Sequence, residues 1–397
     1  MNRQLLRLLF AALLIAGSSA AQTRTGFIEV DNGKLYYEKA GQGKETIVFI
    51  HDGLVHSVVW DNQFQEFSKN YNVVRYDRRG YGRSPKPETK YSNIEDLYKV
   101  FTTLEIDKAI VIGMSAGGGL AIDFTINHPE KVSALITVGA VVGGFTYSDH
   151  MTTRGGRITA SDYADRARLL EYLLNEDPYE IAPQDNEARE KLKTIMKDYS
   201  HNIDPEKGRL AVPPDRPALE RLNEIKVPAL VIIGEFDIPD VFVHAGAIES
   251  GISNAQKAII RDAGHLVPFE QPELFNEQVK MFLNSNEFFD TLNTDGVDAA
   301  VKLFNSRRQD DNSYKPFSEN RMNALGYQYL QSGKVLEAIE LFKLNVSAYP
   351  EGANTYDSLG EAYMTNGDNE LAIKNYKKSL ELNPGNTNAV NMLKRLE

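Results

Sequence analysis

The chain has 397 residues, 42% of them hydrophobic, a formal net charge of −11 and no cysteine. That length allows two or three domains around a sizeable core. The negative charge argues against nucleic acid or an anionic membrane as the main partner, and the absence of cysteine excludes disulfides and thiolate chemistry.

In chain order, Arg3 and Arg7 flank the start of an apolar run, LLFAALLIA, which GSSAAQ follows with small residues at the spacing a signal peptidase reads. Residues 1–21 are therefore expected to be a signal peptide, cleaved after Ala20 or Ala21. The run is about 9 residues long, too short to span a bilayer. The mature chain is expected in a bacterial periplasm or outside the cell, without stable membrane insertion.

From 26 to 284, short β-branched runs alternate with helical patterns. GFIEVDNGKLYYEKAG reads as a hairpin, with Asn32-Gly33 favouring a type I′ turn. TIVFIH (46–51), NVVRYD (72–77), KAIVIG (108–113), VSALITVGA (132–140), PALVIIGE (228–235) and QKAIIRDAGH (256–265) follow. Their nearly continuous apolar character suits strands covered on both faces, so an α/β fold with a mostly parallel sheet is expected. Residues 142–224 break the rhythm: they are rich in charge, show no convincing strand and end in the proline-rich LAVPPDRPALERL. They read as a helical insertion, a candidate lid.

The C-terminal part, 291–397, repeats itself at a shift of 34. Leu325/Leu359, Gly326/Gly360, Tyr329/Tyr363, Gly333/Gly367, Ala338/Ala372, Phe342/Tyr376 and Pro350/Pro384 keep that spacing. Small residues let paired helices approach closely, aromatics fill the groove, and proline ends each unit. The pattern closely resembles the tetratricopeptide repeat. It gives repeats at 319–352 and 353–386, a partial repeat near 295–308 with Ala300 and Phe304, and a capping helix at 387–397. The resemblance implies an all-α domain that binds a protein or peptide partner.

The chemistry centres on AIVIGMSAGGGLAIDF, residues 109–124. A dinucleotide fingerprint would need glycine where Ser115 stands, and a phosphate-binding loop would need a lysine that is absent. No cofactor or metal is expected. What fits is G-x-S-x-G, Gly113 to Gly117, between a strand and a helix: a turn that exposes Ser115 as a nucleophile. A serine hydroxyl needs a base oriented by a third group. Of the seven histidines, His265 in RDAGHLVPFEQP lies just past the last expected strand, where such sheets carry their sites. His56, His128, His150, His201 and His244 fall in loops, the insertion or helices. Asp237, in GEFDIPD, is the expected orienting acid, with Asp240 and Glu235 as alternatives. Ala116 N–H is expected to bind the oxyanion, with Leu54 N–H as the second donor and Gly53 close behind it.

His51-Asp52-Gly53, DRRGYGRS (77–84), GMSAGG, GEFD and DAGH, in the order Ser, Asp, His, resemble the α/β-hydrolase superfamily over about 26–284. The resemblance implies a serine hydrolase, since Ser115 excludes members with a nucleophilic aspartate. Asp52 departs from the family's usual His-Gly pair and brings a carboxylate near the oxyanion loop. The implied substrate is a small ester-like molecule, with a carboxylesterase favoured over a lactonase, aminopeptidase or C–C bond hydrolase. An aminopeptidase would want lid acids to hold an amine, and EYLLNEDPYE (171–180) offers candidates. A non-catalytic binding module built on the repeats is the alternative.

Overall fold

The computed structural model describes residues 23–396, apart from 160, 163–164, 183–184, 205–207 and 254. The expected signal peptide lies outside the described residues. The chain divides into two compact units, one ending at Glu270 and one spanning Gln271–Glu397.

The first unit is built on an eight-stranded sheet in the order β1-β2-β4-β3-β5-β6-β7-β8. The strands are β1 (Arg24–Val30), β2 (Gly33–Ala40), β3 (Thr46–Ile50), β4 (Asn72–Tyr76), β5 (Ala109–Met114), β6 (Val132–Val138), β7 (Ala229–Gly234) and β8 (Ala255–Ile260). β1, β2 and β4 pair antiparallel, and the sheet runs parallel from β4 to β8. The central strands carry the most continuous apolar runs: every residue of β5 and β7 is buried. β8 takes an edge and tolerates Gln256 and Lys257 in solvent.

The first hairpin differs from the expected turn. Val30 pairs with Gly33, so the loop is Asp31-Asn32, one residue earlier than Asn32-Gly33. Of these two, Asn32 alone takes a left-handed φ, of 53°, whereas a type I′ turn needs both. Asparagine's own tolerance of that region suffices, and Gly33 serves as the first residue of β2.

Between the strands lie α1 (Asp61–Phe67), α2 (Asn93–Thr103) and α3 (Ala116–Asn127). The segment 142–224 contains no strand among its described residues. It holds α4 (Asp149–Thr153), α5 (Arg166–Asn175) and α6 (Asn186–Asp198), started by the side chains of Ser148, Asp165 and Asp185 accepting first-turn N–H groups. α7 (Pro239–Gly251) follows β7, and the short α8 (Val267–Glu270) follows the loop after β8. One contiguous core runs through this unit, from Ile28 and Leu35 to Ile248 and Ile252.

The second unit is all helical: α9 (Pro272–Asp295), α10 (Val297–Asp310), α11 (Glu319–Gln331), α12 (Val335–Ala348), α13 (Ala353–Asn366), α14 (Asn369–Leu382) and α15 (Thr387–Leu396). α9 runs unbroken through 284–291, where a domain boundary was expected. No proline or glycine interrupts the chain between Pro272 and Gly296, so nothing stops the helix there. α11–α12 and α13–α14 form two equivalent hairpins. In each, a ring meets the glycine 16 residues before it: a Cβ on Gly326 would lie 2.5 Å from Phe342, and one on Gly360 would lie 3.1 Å from Tyr376. Ala300 and Phe304 are fully buried on α10. No helix among the described residues is long and apolar enough to cross a membrane.

Candidate active site

Ser115 stands between β5 and α3 with φ 51° and ψ −118°, a backbone region few non-glycine residues occupy. The turn is possible because both flanking glycines lack side chains. A Cβ on Gly113 would lie 2.3 Å from the Gly117 carbonyl oxygen, and one on Gly117 would lie 2.2 Å from that of His51. Ser115 N–H donates to Val138 O at 2.8 Å, tying the turn to the end of β6. The serine hydroxyl does not cap α3. Strain held this way by surrounding structure is a mark of functional sites.

His265 and Asp237 meet from the loops after β8 and β7. His265 Nδ1 lies 2.8 Å from Asp237 Oδ1, and both side chains are buried. The same Oδ1 accepts Ile238 N–H at 2.7 Å. A carboxylate on Nδ1 selects the tautomer with its proton there and leaves Nε2 free to take one. Asp240 and Glu235 are engaged elsewhere. Asp240 accepts the Ser148 N–H and hydroxyl at the start of α4, and Glu235 accepts Asp262 N–H. Burial works against a charged imidazole, yet Asp237, Glu180 and Asp52 together hold His265 above its ordinary value.

Gly139 joins the serine to this pair. It follows Val138, the residue that fixes Ser115, and has φ +50°. A Cβ here would lie 3.0 Å from Asp237 Oδ2 and from both Cε1 and Nδ1 of His265. Sequence reading passed over Gly139, whose signal, a glycine directly after a buried strand, is weak by itself.

The loop expected to supply the second oxyanion donor is organised by Asp52. Asp52 Oδ1 accepts Val55 N–H at 2.9 Å, and Leu54 N–H also faces the Asp52 carboxylate. Aspartate side chains commonly accept nearby backbone N–H groups in turns in this way. Gly53 instead adjoins the helix start, where a Cβ would lie 3.7 Å from Ala116 Cβ. His51 Nε2 accepts Arg78 N–H at 2.9 Å, its Nδ1 bonds Asp52 O, and Arg78 Nη2 donates to the same oxygen. Arg79 makes a buried bidentate pair with Asp96, 2.7 Å on each arm. The arginines of DRRGYGRS are thus engaged in holding loops.

The segment 177–182 is bonded to the histidine loop. His265 N–H donates to Tyr179 O at 2.7 Å and Leu266 N–H to Glu180 O at 3.2 Å. Glu270 accepts Gly264 N–H and Ala182 N–H, and burial pushes its carboxyl up to about 7. Within the insertion, Arg154 donates from Nε to Asp177 at 3.1 Å and from Nη2 to Glu180 Oε1 at 3.2 Å. Glu180 Oε2 is buried and has no hydrogen-bond partner among the described residues. Burial, with Asp177 and Asp52 adding to it, pushes Glu180 up to about 7, against the pull of His265 and Arg154. Asp177 and Glu180 fall within the acidic stretch noted in the sequence. Arg154 was missed, because only the folded insertion brings it to them.

The other histidines have structural partners. His244 accepts Val142 N–H, His150 bonds the Tyr179 hydroxyl, His201 bonds Gly82 O, His56 bonds Asn202, and His128 stacks on Tyr98. Two surface cavities, of about 980 and 350 Å³, are lined by Arg79, Tyr91 and Asp96 and by His56, Arg75 and Tyr199. Neither is lined by Ser115, Asp237 or His265.

Comparison with known proteins agrees with this fold. Residues 45–272 match the alpha/beta hydrolase fold family, and the chain belongs to it. Residues 353–386 match the tetratricopeptide repeat. Over 264 residues the chain is 30% identical to a 2-hydroxy-6-oxononadienedioate/2-hydroxy-6-oxononatrienedioate hydrolase of Paraburkholderia phymatum, covering 63% of this chain and 91% of that one. The hydrolase of the same name from Klebsiella pneumoniae is 29% identical over 290 residues, covering 67% and 97%. Among solved structures, Est816, an N-acyl homoserine lactone degrading enzyme, is similar at 27% identity and a TM-score of 0.52, covering 64% and 98%. The enol-lactonase from Burkholderia xenovorans shares the fold at 21% identity and a TM-score of 0.54, covering 65% and 99%.

Proposed function

We propose that the first unit is a serine hydrolase that opens an ester-like carbonyl bond through an acyl-enzyme. The observation that carries this reading is the buried His265–Asp237 pair, 2.8 Å apart, set beside the strained Ser115 turn across Gly139. Ser115 Oγ attacks the carbonyl carbon while its proton passes to His265 Nε2. Asp237 holds the ring and stabilises the imidazolium. The Ala116 N–H and that of Leu54 or Gly53 receive the oxyanion, and each such donor is worth ~2.7–4 kcal/mol in the transition state. His265 returns the proton to the leaving group, and water, deprotonated by the same ring, then releases the acid and restores Ser115.

Ser115→Ala should lower turnover of p-nitrophenyl acetate by a factor on the order of 10⁶ and abolish labelling by a fluorophosphonate. A variant as fast as wild type would sink the reading.

The reading extends to place and partner. The basic, apolar and small-residue order of 1–21 supports export to the periplasm or beyond. The two equivalent helical hairpins support a docking arm for a protein partner. A tagged full chain should fractionate with the periplasm or medium and cross-link there through its repeats. Recovery from the cytoplasm counts against export, and a cross-link that persists without residues 297–397 counts against the arm.

A further inference from the structure

The insertion places more negative charge against the catalytic histidine than its own groups neutralise. Arg154 is bonded to both Asp177 and Glu180, so these three side chains carry one surplus negative charge when ionised. The surplus falls on the side of Glu180 that faces no partner among the described residues: Oε2 is buried without a hydrogen bond, and the residue is 6% exposed. A buried carboxylate oxygen in that state is costly unless something arrives to bond it.

Position says where that something comes from. Glu180 is the residue whose carbonyl oxygen accepts Leu266 N–H, next to Tyr179, which holds His265 N–H. Its carboxylate interacts electrostatically with His265 and also with Asp52 of the oxyanion loop. These two residues come from the loops after β8 and β3, on either side of the Ser115 turn. The backbone bonds to His265 and Leu266 therefore set Glu180 beside the histidine loop, next to the Ser115 turn.

We propose that Glu180 is a recognition residue for an organic ammonium group, so that the ester-like substrate opened at Ser115 carries a cationic nitrogen. The proposal rests on the serine-hydrolase reading and adds a substrate class to it. An ammonium would neutralise the surplus charge and, where it carries N–H, donate to Oε2. The same charge count disfavours a dicarboxylate such as those in the names of the Paraburkholderia and Klebsiella relatives. A dianion would bring two more negative charges to a site already holding Glu180 and Asp52, at a cost that a buried setting magnifies.

The test compares wild type and Glu180→Gln on matched esters: alanine methyl ester against methyl propionate, methyl 6-aminohexanoate against methyl hexanoate, and acetylcholine against 3,3-dimethylbutyl acetate. In at least one pair wild type should favour the cation in kcat/KM by roughly tenfold or more, as a hydrogen-bonded charge contact provides, and Glu180→Gln should erase that ratio. A second readout needs no variant. The ratio for methyl 6-aminohexanoate, whose amine stays charged throughout, should fall as pH drops below about 7 and Glu180 takes up a proton. His265, Asp177, Arg154 and Asp52 face the same carboxylate, and titration of His265 acts on both members of a pair and cancels in the ratio. Neutral esters preferred in all three pairs, or a cation preference that survives both Glu180→Gln and acid, would overturn the proposal while leaving the hydrolase reading standing. A wild type inert to all six esters and to a fluorophosphonate would overturn both.

Discussion

The two units solve the problem of packing in opposite ways. In the first, one large cluster of buried side chains joins β1–β7 to α2, α3 and α7, and the same unit holds a left-handed serine, a buried imidazole and several buried acids. In the second, the core is strung out as small clusters: Phe288 to Ala348, then Ala338 to Ala362, then Ala372, Tyr376 and Ala389. Each hairpin of the second unit packs mainly on its neighbours, as repeat arrays do. Strain and buried charge need a surrounding structure that over-determines them. A continuous core supplies that, whereas a serial one fits better with neutral pairs such as Gly326 on Phe342.

One methyl group placed in each unit tests this contrast. Gly139→Ala puts a Cβ 3.0 Å from Asp237 Oδ2 and the His265 ring at a φ of +50°. The backbone cost is about 1–2 kcal/mol, and displacement of the pair should lower hydrolysis by about 100-fold. Gly326→Ala puts a Cβ 2.5 Å from the Phe342 ring. Overpacking there should cost about 1–3 kcal/mol, and ester turnover should stay within about twofold because the change lies far along the chain from Ser115, Asp237 and His265 and acts on the repeat core. At the equivalent site Gly360→Ala meets Tyr376 at 3.1 Å and should cost less than Gly326→Ala, under about 1 kcal/mol. Chemical denaturation and ester turnover measured on the same samples check all three. Equal loss of turnover in Gly139→Ala and Gly326→Ala would dissolve the distinction.

What could be read from sequence follows the same division. The meeting of Asp237 with His265 and the turn at Ser115 were legible because each follows a strand whose apolar run marks it, and parallel pairing places the ends of those strands on one edge. The 34-residue period was legible because each repeat meets the same neighbours. Arg154 with Glu180 was not, since their meeting depends on how charged helices of the insertion fold, and charge carries no periodicity. The hairpin turn slipped by one residue because Asn32 accepts a left-handed φ unaided. The unbroken α9 shows the converse: a run without proline or glycine continues whatever the domain logic suggests.

The buried charges leave the smallest predicted trace, in the pH dependence of local stability. Burial raises Glu180 and Glu270 from 4.5 to about 7. Between those values the native state binds protons that the unfolded chain has released, so stability falls with rising pH and the contribution is gone above about 7. His265, raised above 6.5 mainly by Asp237 against the opposing effect of burial, has the same sign and continues the fall upward from 6.5. His56 and His244, which burial lowers, have the opposite sign, but their contribution is complete once pH passes 6.5. The decline should therefore be unopposed by these two from about pH 6.5 upward. In the repeats the raised groups include Tyr314 and Tyr349, which burial pushes up to about 12, well outside this window. Native-state hydrogen exchange reads each unit separately. After correction for intrinsic rates, amides of β7 should lose protection by roughly tenfold between pH 6.5 and 8.5, the equivalent of one pKa unit in one group. Amides of α12 and α14 should hold theirs. Glu270→Gln should flatten the lower part of the β7 slope, and a rise in β7 protection over the same range would mean that the buried acids are already ionised at pH 6.5.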